Sequence, residues 1–321
     1  MPVTSIVCHC RDCSGRSQPV KVALEHAAKR RESKYTYELL AAMLATVQDR
    51  GERISTTTLT SKCLRSETLI RTTDYEQDPD RMYASFRGTM FHGQLERHFH
   101  PQAIAEARFH VLNFEGMGAF SGSPDLVDPK AGTLYDYKFT KENPRWDKPW
   151  DDHVNQLQVN RWLVDNADYV EWEGDWYPLT EAGSDWLNEN VAPQLGDAES
   201  ERAAARAKFI PIDWQGLYVV YMDDKGPKPL LITRSEQVPK KSGPGTKSAR
   251  VADIWPDERV EGYIRTKYAA AKKALVDGVV PDIPPGFESW NHPLCGFCPV
   301  KDVCIERYIE SEVQMRLRRA A

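Results

Sequence analysis

The chain has 321 residues, 41% of them hydrophobic and 28% charged, with a net charge of −5 and seven cysteines. This length buries a substantial core in one large domain or two smaller ones, and no run approaches the roughly 18 apolar residues of a membrane span. The acidic balance excludes a generally basic nucleic-acid coat but leaves room for a local basic groove.

Met1 to Val7 lacks the apolar core of a secretory signal, so a cytoplasmic, reducing setting is expected. There, clustered cysteines favour metal over disulfides. Cys8-His9-Cys10-Arg11-Asp12-Cys13 crowds three thiols into six residues. It reads either as a small zinc knuckle, with His9 or a distant residue as fourth ligand, or as an arm whose cysteines share no purpose. Zinc sites use two well-spaced ligand pairs, and only half of that pattern is visible.

Residues 20–50 carry apolar residues at helical spacing and predict two packing helices, the second ended by Gly51. Thr56 to Thr72 begins with capping Ser/Thr residues and predicts a helix bearing the solitary Cys63. Within Arg87 to Phe99, His92 and Glu96 stand four apart, which places them on one helical face. Gly88 just before that helix permits close backbone approach. A second histidine at the spacing of a zinc protease is missing.

The most informative stretch is Gly122-Ser123-Pro124-Asp125 followed by Tyr135-Asp136-Tyr137-Lys138. It predicts a strand, then Asp125-Leu126-Val127, a turn over Asp128 to Gly132, and an alternating strand from Thr133 to Phe139. Residues two apart on a strand share a face. Asp136 and Lys138 therefore point one way and Tyr135, Tyr137 and Phe139 the other, with Asp125 close to the first pair. Two carboxylates and an ammonium at a strand end suit a divalent-metal site for phosphodiester hydrolysis.

Lys141, Arg145 and Lys148, interleaved with Trp146 and Trp150, suit a nucleic-acid strand, although a solvated loop has the same composition. Asp152 to Val164 predicts an amphipathic helix with Val154, Leu157, Arg161 and Val164 on one side and Gln156 and Asn160 on another. Tyr169 to Leu179 predicts a hairpin about Gly174-Asp175, residues 181–208 a helical stretch, and Leu217 to Met222 a buried strand that returns through Leu230 to Thr233. Pro239 to Arg250 is a linker or a basic flap carrying Lys240 and Lys241. Val260 to Gly278 predicts a helix, and prolines then lead into Cys295-x-x-Cys298 and Cys304. Three thiols need a fourth ligand, and Cys63 is the cysteine that stands between the two clusters. Spacing does not separate iron–sulfur from zinc.

Taken in order, Cys63, Gly88-x-x-x-His92, Gly122-x-x-Asp125, Asp136-x-Lys138, Gln156 and Cys295-x-x-Cys298 with Cys304 resemble the RecB-like branch of the PD-(D/E)xK nucleases. They are similar in particular to the iron–sulfur exonucleases associated with CRISPR loci and phages. Asp136 replaces the commoner glutamate, and Asn160 stands where a tyrosine is usual. The resemblance implies an α/β, restriction-endonuclease-like core whose mixed central sheet is flanked by helices. It also implies a helical N-terminal region and a four-cysteine [4Fe–4S] clasp. Residues 1–50 would form an N-terminal cysteine-containing arm and helices, and 51–321 the nuclease domain, with 168–250 an enlarged insertion and 290–310 the cluster-binding segment.

The implied activity is metal-dependent exonucleolytic cleavage of DNA, at single strands or ends. The setting would be recombination, repair or CRISPR-type spacer processing, in the host cytoplasm if the chain is phage-encoded. Partners would be recombination, helicase or CRISPR integration proteins, with no membrane involved. Asp125, Asp136, His92 and the Tyr137 carbonyl would hold Mg²⁺ or Mn²⁺, Lys138 would stabilise developing charge, and Gln156 and Glu96 would assist. The alternative is a non-catalytic nuclease-fold subunit that binds DNA within a larger recombination complex.

Overall fold

The computed structural model describes residues 3–11, 13–29, 34–47, 53–98, 102–139, 149–191, 198–223, 226–232, 253–287, 289–290 and 292–320. In chain order the elements begin with β1 (Val3–Cys8), β2 (Arg16–Pro19), α1 (Val20–Ala28), α2 (Tyr37–Ala45), α3 (Thr56–Thr60), α4 (Leu64–Thr72), β3 (Tyr75–Gln77) and α5 (Pro79–Glu96). There follow β4 (Ile104–Ala105), β5 (Arg108–Val111), β6 (Phe120–Gly122), β7 (Leu126–Asp128), β8 (Thr133–Phe139) and α6 (Asp151–Asn166). Next are β9 (Tyr169–Trp172), β10 (Asp175–Pro178), α7 (Glu181–Asn190), α8 (Ala198–Phe209), β11 (Gly216–Asp223) and β12 (Gly226–Ile232). The chain ends with α9 (Asp257–Leu275), α10 (Pro293–Phe297) and α11 (Lys301–Ala320). No described helix is long and apolar enough to cross a membrane.

These elements form two compact units, one of Met1–Glu52, Lys62–Met90 and Lys272–Ala321, the other of Arg53–Ser61 and Phe91–Ala271. The division differs from a boundary at residue 50, because residues 62–90 and the C-terminal segment fold with the N-terminal one. Helix α5 belongs partly to each.

The larger unit contains the mixed central sheet, ordered β12-β11-β8-β7-β4, and a second sheet, ordered β10-β9-β5-β6. In the central sheet β8 and β11 run parallel, while β7–β8, β4–β7 and β11–β12 are antiparallel. A parallel pair needs a long crossover, and here it passes through α6, the β9–β10 hairpin, α7 and α8. Helix α6 packs on β8 and β11 of one sheet and on β5 and β6 of the other. This explains why Val154, Leu157, Val159, Leu163 and Val164 are all buried rather than one stripe alone. The predicted hairpin about Gly174 is present; Glu173 and Gly174 turn it at φ +54° and +86°, the left-handed pair that two-residue hairpins require.

Two glycines are set by space. At Gly132, φ is +64° and a Cβ would lie 2.0 Å from the Asp213 carbonyl oxygen, where the chain enters β11 beside the β7–β8 turn. At Gly122, a Cβ would meet Thr56 Cγ2 at 2.4 Å and Asn160 Oδ1 at 2.9 Å. There α3 and α6 both close on β6. Gly122→Ala is accordingly expected to lower stability by about 1–3 kcal/mol through overpacking. Urea unfolding measures the loss, and Thr56→Ser, which removes the nearest methyl, restores part of it.

Several local expectations change. Thr56 to Thr72 is not one helix: α3 ends before Ser61, and Cys63 precedes α4 as its extended N-cap residue at φ −131°. Gly88 lies inside α5, where a Cβ would meet nothing within 4 Å. The N-terminal stretch is a strand and hairpin. Strand β1 pairs antiparallel with β2 and parallel with β3, and α1 packs on β1.

Candidate active site

The site forms where the chain passes from one sheet to the other. Strand β6 ends at Gly122 in the second sheet, and after Ser123, Pro124 and Asp125 the chain enters β7 of the central sheet. Asp125 sits at the start of β7 and opposite Asp136 by continuation of the β7–β8 register, in which Leu126 faces Tyr135. Its Oδ2 accepts the Tyr137 backbone N–H at 2.5 Å. The neighbouring bend is tied to the same turn: Ser123 Oγ donates to the carbonyls of Glu106 and Ala107, and the Glu106 N–H donates to the Asp125 carbonyl. Glu106 is held at φ +51°, a conformation that costs a non-glycine residue energy and is concentrated at functional sites.

On β8 the alternation is as expected. Lys138 Nζ donates to Asp136 Oδ1 at 2.9 Å and to Gln156 Oε1 of α6 at 3.1 Å. On the opposite face Tyr135 stacks on Tyr137 and on Tyr218, and Phe91 packs against Tyr137 and Phe139. That aromatic contact seats the last turns of α5 beside β8. His92 follows Phe91, and its Nδ1 lies 3.2 Å from Glu106 Oε1 and 3.6 Å from Asp125 Oδ1. The three groups offer ligand atoms within 4.8 Å of one another.

Charge is concentrated and poorly hydrated here. Burial first, and Asp136 second, push the Asp125 carboxyl up to about 7. The hydrogen bond to Glu106 raises His92, with the charge of Asp125 adding to it against the effect of burial. For Lys138, burial acts to lower the pKa, but Asp136 and Asp125 outweigh it and the net shift is upward. Lys138 thus stays an ammonium among carboxylates.

Asp136 is 1% exposed. Its Oδ2 lies 2.9 Å from Lys138 Nζ but has no hydrogen bond of good geometry. A buried carboxylate oxygen with a lone pair to spare, beside a carboxylate that resists ionisation, fits a divalent cation. Oxygen donors with one imidazole suit Mg²⁺ or Mn²⁺.

Asp125, Asp136, Lys138, Gln156 and His92 are thus brought together. The Glu96 side chain lies outside the described residues, as do Lys141, Arg145, Lys148, Lys240 and Lys241. Glu106 was not foreseen; the one signal for it was an isolated acidic residue, in Ile104-Ala105-Glu106-Ala107, ahead of a strand. Asn160 is wholly buried over Gly122, and among the described residues neither of its amide atoms has a hydrogen-bond partner. At this position, where a tyrosine is usual in the resembling family, the side chain faces inward.

In the smaller unit, Cys63, Cys295, Cys298 and Cys304 line one pocket. Arg65 Nε donates to Cys304 Sγ at 3.2 Å, and Ser66 Oγ lies 3.2 Å from Cys298 Sγ. Burial raises the Cys63 and Cys295 thiols, and the neighbouring cysteines add to the rise. Among the described residues, no three of these four thiols fall within 4.8 Å of one another.

The fold and this site define a mixed α/β protein with a carboxylate–lysine centre at a strand end. A family profile described as the PD-(D/E)XK nuclease superfamily matches residues 25–305. The chain belongs to that superfamily, whose members are in general metal-dependent nucleases. No curated protein matches it. Among solved structures, one described as "Crystal structure of SSO0001" aligns over 83% of this chain and 93% of its own, with 12% identity and a TM-score of 0.42.

Proposed function

We propose that the protein is a metal-dependent deoxyribonuclease acting as an exonuclease on single-stranded DNA or DNA ends. The observation that carries this reading is the convergence of Asp125, Asp136, Lys138 and Gln156 with the His92–Glu106 pair at one end of β8. Asp125, Asp136, His92 and the Tyr137 carbonyl, joined by Glu106, would hold Mg²⁺ or Mn²⁺, which would supply Lewis-acid polarisation of the scissile phosphate and activation of water. Lys138 neutralises charge developing on the phosphate, and Gln156, already hydrogen-bonded to Lys138, holds that ammonium in place and orients the attacking water.

End-labelled single strands test the reading. Chelation is expected to stop digestion and added Mn²⁺ to restore it; DNA binding without cleavage at saturating Mn²⁺ would instead identify a non-catalytic subunit. Glu106→Gln should weaken the apparent Mn²⁺ affinity by about 10–100-fold, read as a shift of the Mn²⁺ titration midpoint with little change in the plateau rate.

For the pocket of Cys63, Cys295, Cys298 and Cys304 we propose a [4Fe–4S] cluster rather than zinc. One zinc ion draws four thiolates into a tight tetrahedron, whereas a cluster binds each thiolate to a different iron and needs them further apart. The wider spacing of these thiols supports the cluster. The finer assignment, to recombination, repair or spacer processing with helicase or integration partners, rests on the order of motifs, and the genomic neighbourhood tests it.

A further inference from the structure

The N-terminal thiols belong to neither of the two sites described above. Strand β1 ends at Cys8, and the turn to β2 is closed by backbone bonds from Ser14 N–H to the Cys10 carbonyl and from Gly15 N–H to the Cys8 carbonyl. Ser14 and Gly15 take left-handed φ values of +51° and +82°. The turn folds Cys8, Cys10 and Cys13 inward, all three buried, beneath α1. From α1, His26 completes the group.

Cys8 Sγ lies 3.4 Å from Cys10 Sγ, and His26 Nδ1 lies 3.8, 3.5 and 3.3 Å from the sulfurs of Cys8, Cys10 and Cys13. All four ligand atoms fall within 4.8 Å of one another. A tetrahedral zinc ion, with bonds of about 2.3 Å to sulfur and about 2.0 Å to nitrogen, sets sulfurs about 3.8 Å apart and sulfur about 3.5 Å from nitrogen. The sulfur–nitrogen separations bracket their edge and the sulfur–sulfur separation approaches its own. Three buried thiols converging on one imidazole nitrogen have no purely apolar reason to do so. His9, the nearer histidine in sequence, turns away, with its Nε2 3.5 Å from Asp78.

We propose that Cys8, Cys10, Cys13 and His26 form a closed structural Zn²⁺ site that pins the β1–β2 hairpin to α1. Four protein ligands leave no open position, so the ion has no catalytic duty. Four ligand atoms set this close suit one ion rather than the separate irons of a cluster. Binding displaces thiol protons to solvent, and the site forms as the hairpin folds.

The test is zinc analysis and zinc-edge X-ray absorption on the full chain, purified from zinc-supplemented medium. One zinc per chain with three sulfurs and one nitrogen is expected. Cys295→Ser together with Cys298→Ser should leave that zinc in place while changing the second pocket. His26→Ala should speed zinc release to a chromophoric chelator by at least about 10-fold, with circular dichroism reporting whether the fold persists. A chain without zinc, a zinc shell of four sulfurs, or a disulfide between Cys8 and Cys10 in the wild-type protein would overturn the assignment. Because these readouts need no DNA, they stand or fall independently of nuclease activity.

Discussion

Asp125→Asn is expected to reduce Mn²⁺-dependent DNA cleavage by at least about 100-fold while leaving the chelated protein as stable as wild type or more so. The physical reason lies in the crowding of the site. Ionised Asp125 is buried beside Asp136 and near Glu106, and its pKa is raised to about 7. A carboxyl whose folded pKa lies above its unfolded one loses stability once pH exceeds the unfolded value, because ionisation is easier in the unfolded chain. In the absence of cation, near neutral pH, the negative charge therefore opposes folding. An asparagine keeps the oxygen that accepts the Tyr137 N–H at 2.5 Å and removes the charge. The charge is needed only to hold the cation and is costly without it, the usual trade between stability and activity at such sites.

Lys138→Ala gives the contrasting result. Cleavage falls by about 10²–10³-fold, but stability falls as well, because the substitution leaves Asp136 buried without its ammonium. Breaking one side of a buried ion pair costs about 3–5 kcal/mol. Paired melting curves and initial rates for the two variants separate these effects. Wild-type cleavage rates in both variants would remove these residues from the reaction.

Cys63→Ser is expected to have the largest structural effect. If the four pocket thiols hold a cluster, losing one ligand should bleach the protein's brown absorbance and lower its iron content. Metal held across distant segments contributes to folding on the order of 10 kcal/mol, as large as the whole net stability of a typical domain, about 5–15 kcal/mol. Cys63 precedes α4, and its partners lie more than two hundred positions later on α10 and α11 and the turn between them. Besides the metal, α4 meets the C-terminal segment through a small apolar cluster in which Leu69 and Val300 pack with Val3 and Tyr75. Loss of the protease resistance of residues 272–320 alongside loss of iron would be the signature. An iron-free wild-type protein containing zinc in this pocket would remove the cluster assignment.

Much of the site was legible because β8 is a short, regular strand. Period two alone put Asp136 and Lys138 on one face and the tyrosines on the other, and the Lys138–Asp136 distance of 2.9 Å follows from that. Gln156 was legible as half of the polar pair on an amphipathic helix, where a glutamine turned toward a buried site needs a partner, and Lys138 supplies it at 3.1 Å. Glu106 was not legible. Its partnership with His92 arises because a left-handed bend and the Ser123 hydroxyl bring two separate loops together, and no periodic pattern encodes that. Glu96, four residues from His92, was the natural partner by helical spacing; its side chain lies outside the described residues, and the His92–Glu106 contact crosses between elements.

The cysteines divide the same way. Cys-x-x-Cys with a later cysteine is a local pattern, and its grouping with Cys63 could be reached by counting. The role of His26 could not: eighteen residues separate it from Cys8, and only the packing of α1 on the β1–β2 hairpin aims its imidazole at the thiols. Local spacing thus determined which side chains share a face of a strand or helix, because the backbone repeat enforces it. Which faces meet was decided by tertiary structure: by the switch between sheets after Gly122, by α6 lying across both, and by a hairpin folded under a helix. Those juxtapositions depend on burial summed over many residues, which no short stretch of sequence contains.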